Sequence, residues 1–191
     1  VVRKVAPINV GEALASYGGR EREAVVLGTT AAFAEVRHLD IARGRFLPAE
    51  DPRAARPVGV IGRTIEKELF GTRSALGQWL RLGDRRFRVI GVIAQTGRSL
   101  GVDMDELVII PVASAQQLFD TPSLFRVLVE ADERAGIEQA RETVERIIKD
   151  RHEGELDVTV ITQDSVLAAF DRILQALTLT VAGIAGISVI V

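Results

Sequence analysis

A chain of 191 residues, 47% of them apolar, can bury a substantial core, which excludes disorder as its resting state. Its 24 basic and 26 acidic side chains leave a formal charge of -2, too little of either sign to attract a phosphate backbone, so nucleic acid is excluded as a partner. The absence of cysteine removes disulfides, thiolate zinc sites and thiol nucleophiles, but it leaves the compartment open, because an oxidising space permits disulfides without requiring them.

In chain order, Val1-Val2-Arg3-Lys4 carries neither an initiator methionine nor an apolar signal core and reads as the interior of a longer protein. The arginine-rich stretch from Arg37 to Arg56 also holds Asp40, Glu50 and Asp51, so it reads as a mixed surface. Val58 to Ile61 predicts a strand and Arg63 to Phe70 a short helix that Gly71 can end. Trp79–Leu82 and Arg86–Val92 flank Gly83-Asp84-Arg85 as a hairpin. Arg81, Arg86 and Arg88 alternate there with Leu80, Leu82, Phe87 and Val89, which predicts one wet face and one buried face. Leu107 to Ile110 is a strand stopped by Pro111, and Ser114 is placed to cap a helix reaching Phe119.

The last third has longer periods. Leu124 to Val129 predicts a strand, Asp132 a cap, and Ala135, Ile137, Ala140, Val144, Ile147 and Ile148 the inner face of a helix. Glu142–Arg146 and Glu145–Lys149 stand at i,i+4 on its outer face with the acid first. Leu156 to Ile161 closes a β-α-β unit. Asp164 or Ser165 then caps a helix with Val166, Leu167, Phe170, Ile173, Leu174 and Leu177 on one face, and no charge follows Arg172. Ile173 to Val191 falls just short of the roughly 20 apolar residues that span a bilayer, so it reads as a membrane helix cut short. Ala182, Gly183 and Gly186 are its candidates for close helix packing in lipid.

Chemistry finds little support. Gly59 and Gly62 after a strand imitate a dinucleotide fold without completing G-x-G-x-x-G, and no lysine sits in a phosphate-binding loop, so no nucleotide or other cofactor is expected. Gly97-Arg98-Ser99-Leu100-Gly101 matches the G-x-S-x-G of hydrolases, with His152 downstream. A nucleophile elbow needs a helix after the turn, whereas the residues after Gly101 lead into a strand, so a loop between strands is the reading preferred over a catalytic serine. His38 and His152 form no ligand pattern, and Asp103, Asp105 and Glu106 lack an EF-hand frame. No catalytic, cofactor or metal residue is therefore assigned, and the chain is expected not to be an enzyme.

The ordered set Ala42-Arg-Gly-Arg-Phe-Leu-Pro-Ala-Glu-Asp, Pro57-Val-Gly-Val-Ile-Gly, Glu68-Leu-Phe-Gly, Leu76-Gly-Gln, Phe87-Arg-Val-Ile-Gly-Val and Asp105-Glu-Leu-Val-Ile-Ile-Pro resembles MacB-type periplasmic core domains. The resemblance extends over essentially the whole chain. It implies an α+β, two-lobed domain between the first and second membrane helices of an ABC-transporter permease in the inner membrane, facing the periplasm. By this resemblance residues 1–32 and 112–163 form a porter-like α/β lobe whose first elements are missing. Residues 33–111 form an inserted, strand-rich lobe of the sabre kind, and residues 164–191 an amphipathic helix running into the second membrane helix. The implied partners are an ABC ATPase domain or subunit, a second permease copy in a homodimer or related heterodimer, and a membrane-fusion adaptor. The implied function is to couple cytoplasmic ATP hydrolysis to movement or export of a substrate. An FtsX-like permease that relays force to a cell-wall hydrolase is the alternative.

Overall fold

The computed structural model describes residues 2–95, 98–99, 102–131, 136–151, 158–162, 173–178 and 180–181. The chain divides into two compact units, residues 2–130 and residues 131–191.

The first unit opens with a long hairpin that the sequence reading left unassigned: β1 (Val2–Tyr17) and β2 (Arg20–Thr29). Gly18 and Gly19 join them with φ of 56° and 82°, the pair of positive angles that a tight turn needs to match the twist of its strands. The short helix α1 (Ala32–Val36) follows, buries Phe33, and is tied back to β1 by the Lys4–Glu35 ion pair. Next come β3 (Ile41–Gly44), β4 (Val58–Ile61), the helical turn α2 (Arg63–Ile65), β5 (Trp79–Leu82) and β6 (Arg85–Ile93). A two-residue ladder follows, β7 (Arg98–Ser99) with β8 (Val102–Asp103). The unit then runs through β9 (Leu107–Pro111), α3 (Val112–Leu118) and β10 (Arg126–Ala131), whose last residue falls in the second unit.

The pairings close on themselves. β1 pairs β2, β2 pairs β9, β9 pairs β4, β4 pairs β6, β6 pairs β5, and β5 returns to β1. The seam between β5 and β1 is short, Ala15 opposite Leu82 and Ser16 opposite Arg81. β10 and β3 continue the sheet outside this ring, on β1 and β6 respectively. A closed sheet leaves none of its ring strands with a free edge.

Alternation sorts the side chains into two cores. Ala15, Ala24, Val26, Ile61, Leu80, Leu82, Phe87, Val89, Val108 and Ile110 share the inner one with Ile65 of α2, Leu69 and Phe70 of the turn that continues it, and Ala115 of α3. The opposite face of the same strands, with Leu27, Val60, Leu107 and Ile109, packs against Phe33, Leu47 and Met104. Burying each of these larger aliphatic or aromatic side chains contributes about 1.5–3 kcal/mol before conformational entropy is set against it.

α3 can sit close because the strands beneath it offer no side chain. A Cβ at Gly28 would stand 2.2 Å from Cβ of Ala115, and one at Gly11 would stand 2.5 Å from the ring of Phe119. The predicted start of this helix is corrected. It begins at Val112 after Pro111, and Ser114 lies inside it as a buried residue, its hydroxyl donating to O of Arg56 and accepting from N of Arg56. The segment Arg63–Phe70 is α-helical only to Ile65 and widens into a π turn over Glu66–Phe70, which Gly71 ends at φ 63°.

In the second unit the predicted helix is present as α4 (Ile137–Arg151). Arg141 holds Glu138 at 3.5 Å and Glu145 at 3.6 Å. Its proposed cap, Asp132, lies outside the described residues. Residues 158–162 carry no strand, which departs from the predicted strand Leu156–Ile161 over its described part. Residues 173–178 are helical, with Ile173, Leu174 and Leu177 exposed. Among the described residues no helix is long and apolar enough to cross a membrane. Ala182, Gly183 and Gly186, the predicted packing positions, lie outside them.

Candidate functional site

The hydrolase pattern is placed by β7 and β8. Ser99 pairs with Val102 in a short antiparallel ladder, so a second strand follows where an elbow needs a helix. Gly97, Leu100, Gly101 and His152 lie outside the described residues.

The acidic group after that ladder is built into the backbone. Asp103 Oδ1 accepts from the N–H of Asp105 at 3.0 Å, capping the 3-10 turn Met104–Glu106. Asp105 is 9% exposed and its Oδ1 finds no partner. Burial first, then the neighbouring charge of Asp103, holds its carboxyl above the usual aspartate range, against an opposing pull from Arg63. Among the described residues no three histidine or carboxylate side chains gather as a metal site would require. This turn also accounts for Gly62. The Gly62 N–H donates to O of Leu107 at 2.9 Å, and a Cβ there would strike the carbonyl oxygen of Asp105 at 2.2 Å. Close backbone approach demands the glycine after β4.

A concavity of about 400 Å3 lies at the C-terminal end of β1, beside the Gly18-Gly19 turn. Its lining includes Ser16, Tyr17, Glu21, Trp79, Arg81 and Arg86. Ring closure assembles it. Glu21 stands opposite Ser16, Ser16 opposite Arg81, and Arg81 opposite Arg86, a single row across β2, β1, β5 and β6. The floor is fixed from behind, where Tyr17 packs on Phe70 with ring centroids 4.2 Å apart and donates its hydroxyl to Oε1 of Gln78 at 3.2 Å. Beside it, Arg22 pairs with Glu68 at 2.6 Å. The alternation of residues 79 to 89 had put the arginines on a wet face, and they are exposed. The meeting of that face with the β1–β2 turn was missed, although Gly18-Gly19 is a hairpin signal.

The family described as the MacB-like periplasmic core domain matches residues 2–147. The chain belongs to that family. This periplasmic core domain is 31% identical over 192 residues to the pyoverdine export ATP-binding/permease protein PvdT of Pseudomonas aeruginosa, covering 100% of the chain and 29% of that protein. It is 27% identical over 196 residues to the macrolide export ATP-binding/permease protein MacB of Bdellovibrio bacteriovorus, covering 100% of the chain and 30% of that protein. The domain thus spans less than a third of the length of these curated relatives.

Solved structures agree on the fold. The periplasmic region of MacB from Actinobacillus actinomycetemcomitans superposes with a TM-score of 0.76 at 20% identity, covering 89% of this chain and 76% of that one. The extracellular domain of the noncanonic ABC-type transporter YknZ from Gram-positive bacteria gives 0.72 at 22% identity, covering 84% and 82%. The α+β class expected from the sequence is the class of these domains.

Proposed function

We propose that this domain is the extracytoplasmic head of an inner-membrane export permease, passing motion driven by cytoplasmic ATP hydrolysis to a substrate on the periplasmic side. The observation that carries this reading is the full-length alignment of the chain with export ATP-binding/permease proteins, of which it covers 29% to 30%. The ATP-binding part named in those relatives belongs, on this reading, to another domain or subunit. A second permease copy and a membrane-fusion adaptor complete the assembly.

Physical features support a mechanical role. The ring of paired strands and its packed inner core resist shear, because no ring strand can slide without breaking ladders on both sides. The helical turn at residues 173–178 lies on the route by which the chain would enter the membrane. Inserting several glycines beside Gln175 in the full-length permease, reconstituted with its ATPase, is the test. The expected result is retained ATP hydrolysis with loss of export, since a flexible joint dissipates a displacement that a helix transmits. Undiminished export would overturn the proposal.

A further inference from the structure

The concavity beside the β1–β2 turn poses an electrostatic problem that the domain does not solve internally. Arg81 and Arg86 face each other directly across an antiparallel pair, a placement that destabilises a sheet. Arginines often guard an exposed strand edge, but Arg81 stands where β5 is paired on both sides, to Ser16 of β1 and Arg86 of β6, so at that position there is no edge to protect. Arg81 spends its Nε on O of Gly83 at 2.8 Å. The side chain of Arg86 makes no hydrogen bond or ion pair among the described residues, and neither does that of Arg88 on the same face. Glu21, the one acid of the row, is two strands away, about 10 Å at ordinary strand spacing.

Beside these cations Trp79 is 51% exposed, an indole left in water next to a tyrosine and arginines. Tryptophan, tyrosine and arginine are the side chains that dominate the centres of protein–protein interfaces. A small-molecule pocket would instead be deep and mainly apolar.

We infer that this concavity is a docking site for an acidic segment of a partner protein, its carboxylates set against Arg81 and Arg86 and an adjacent apolar side chain against the indole of Trp79. Charge complementarity selects the partner's chemistry: the cations are fixed on a rigid ladder and lack counter-ions, so a partner's carboxylates gain paired, charge-assisted hydrogen bonds. The inference does not depend on the transport reading, because it concerns binding by the folded head alone.

Trp79 is the chain's single tryptophan, so its emission reports this site alone. The probe is an end-blocked peptide with four glutamates around one leucine, compared with its lysine counterpart. The acidic peptide is expected to give a saturable change in emission that weakens as salt is raised, while the lysine peptide gives none. The double variant Arg81→Glu, Arg86→Glu is expected to weaken binding at least about tenfold. Should that variant lose its native circular dichroism, Arg81→Gln and Arg86→Gln are measured singly, each expected to weaken binding several-fold. Equal response to both peptides, or undiminished binding by the variants that fold, would overturn the inference. So would the same response to free citrate, tighter binding to phosphatidylglycerol vesicles through the same arginines, or a sedimenting dimer that these substitutions dissolve. Those outcomes would assign the face to small anions, to lipid or to a second copy.

Discussion

Gly28→Ala tests the packing of α3 most directly. The added Cβ would stand 2.2 Å from Cβ of Ala115, where carbon atoms rest at about 3.5–4.0 Å, so the two must part by about 1.5 Å. Neither atom has a rotamer by which to escape. β2 is held by ladders to β1 and β9, so α3 must yield, and with it the two hydrogen bonds between Ser114 and Arg56 at 2.9 and 3.0 Å. Overpacking of this kind costs about 1–3 kcal/mol, and the absence of a flexible neighbour places it near 3. For a domain of this size that corresponds to a loss of about 6–12 °C in Tm. Ala115→Gly alone should cost about 2 kcal/mol, from helix propensity and the lost buried methyl. The double variant should cost about 1 kcal/mol, because the methyl moved to β2 fills the space vacated on α3. Urea denaturation of the four proteins measures the coupling. Additive losses, or a change below about 0.5 kcal/mol in Gly28→Ala, would refute the claim that the glycine exists to admit this helix.

Asp105→Asn is expected to stabilise the domain at neutral pH. A carboxyl whose folded pKa is raised keeps its proton longer in the folded state than in the unfolded chain. Stability therefore falls as pH rises from the ordinary aspartate value through the raised one, and the amide escapes that loss. The variant's advantage in Tm should shrink as pH is lowered through the same window; an advantage that grows on acidification would contradict it. Arg43→Ala should destabilise by about 2 kcal/mol, read as a shift in urea midpoint, since it strands the buried carboxylate of Glu66, which is 7% exposed and already has Oε1 unpartnered. Arg43 is itself 44% exposed on its side chain, which keeps the loss below that of a fully buried pair.

Strong alternation made part of this fold legible in the sequence. In residues 80 to 82 and 86 to 89 large apolar and charged side chains take turns, and the β5–β6 hairpin emerged with its wet and buried faces as expected. The β1–β2 hairpin, the longest in the domain, did not emerge. On β1 its inner face is Gly11, Ala13 and Ala15, with the Phe119 ring set against Gly11, and a stripe of small residues carries almost no hydrophobic period. Ser114 misled as a cap because its hydroxyl serves a backbone 58 positions earlier in the chain. The candidate site shared this fate: the arginines of β5 and β6 could be placed on an outer face locally, while their meeting with Ser16 and Glu21 depends on a contact between distant strands that no local pattern encodes. The ring itself takes β1 and β2 from before residue 33 and β4, β5, β6 and β9 from after it.

Closure by so short a seam makes it one of the two places where the ring would give under tension. β4 and β9 also face each other at only two residue pairs, Val60–Ile109 and Ile61–Val108, while β1 and β5 meet at Ala15–Leu82 and Ser16–Arg81, extended by the Gly83 N–H donating to O of Leu14. Pulling the β1–β2 arm away from the β5–β6 arm would load those few hydrogen bonds together, and the zip would start there. A binder that bridged Ser16 to Arg81 from outside would act as a clasp, so that gripping the head and stiffening it would be one and the same event.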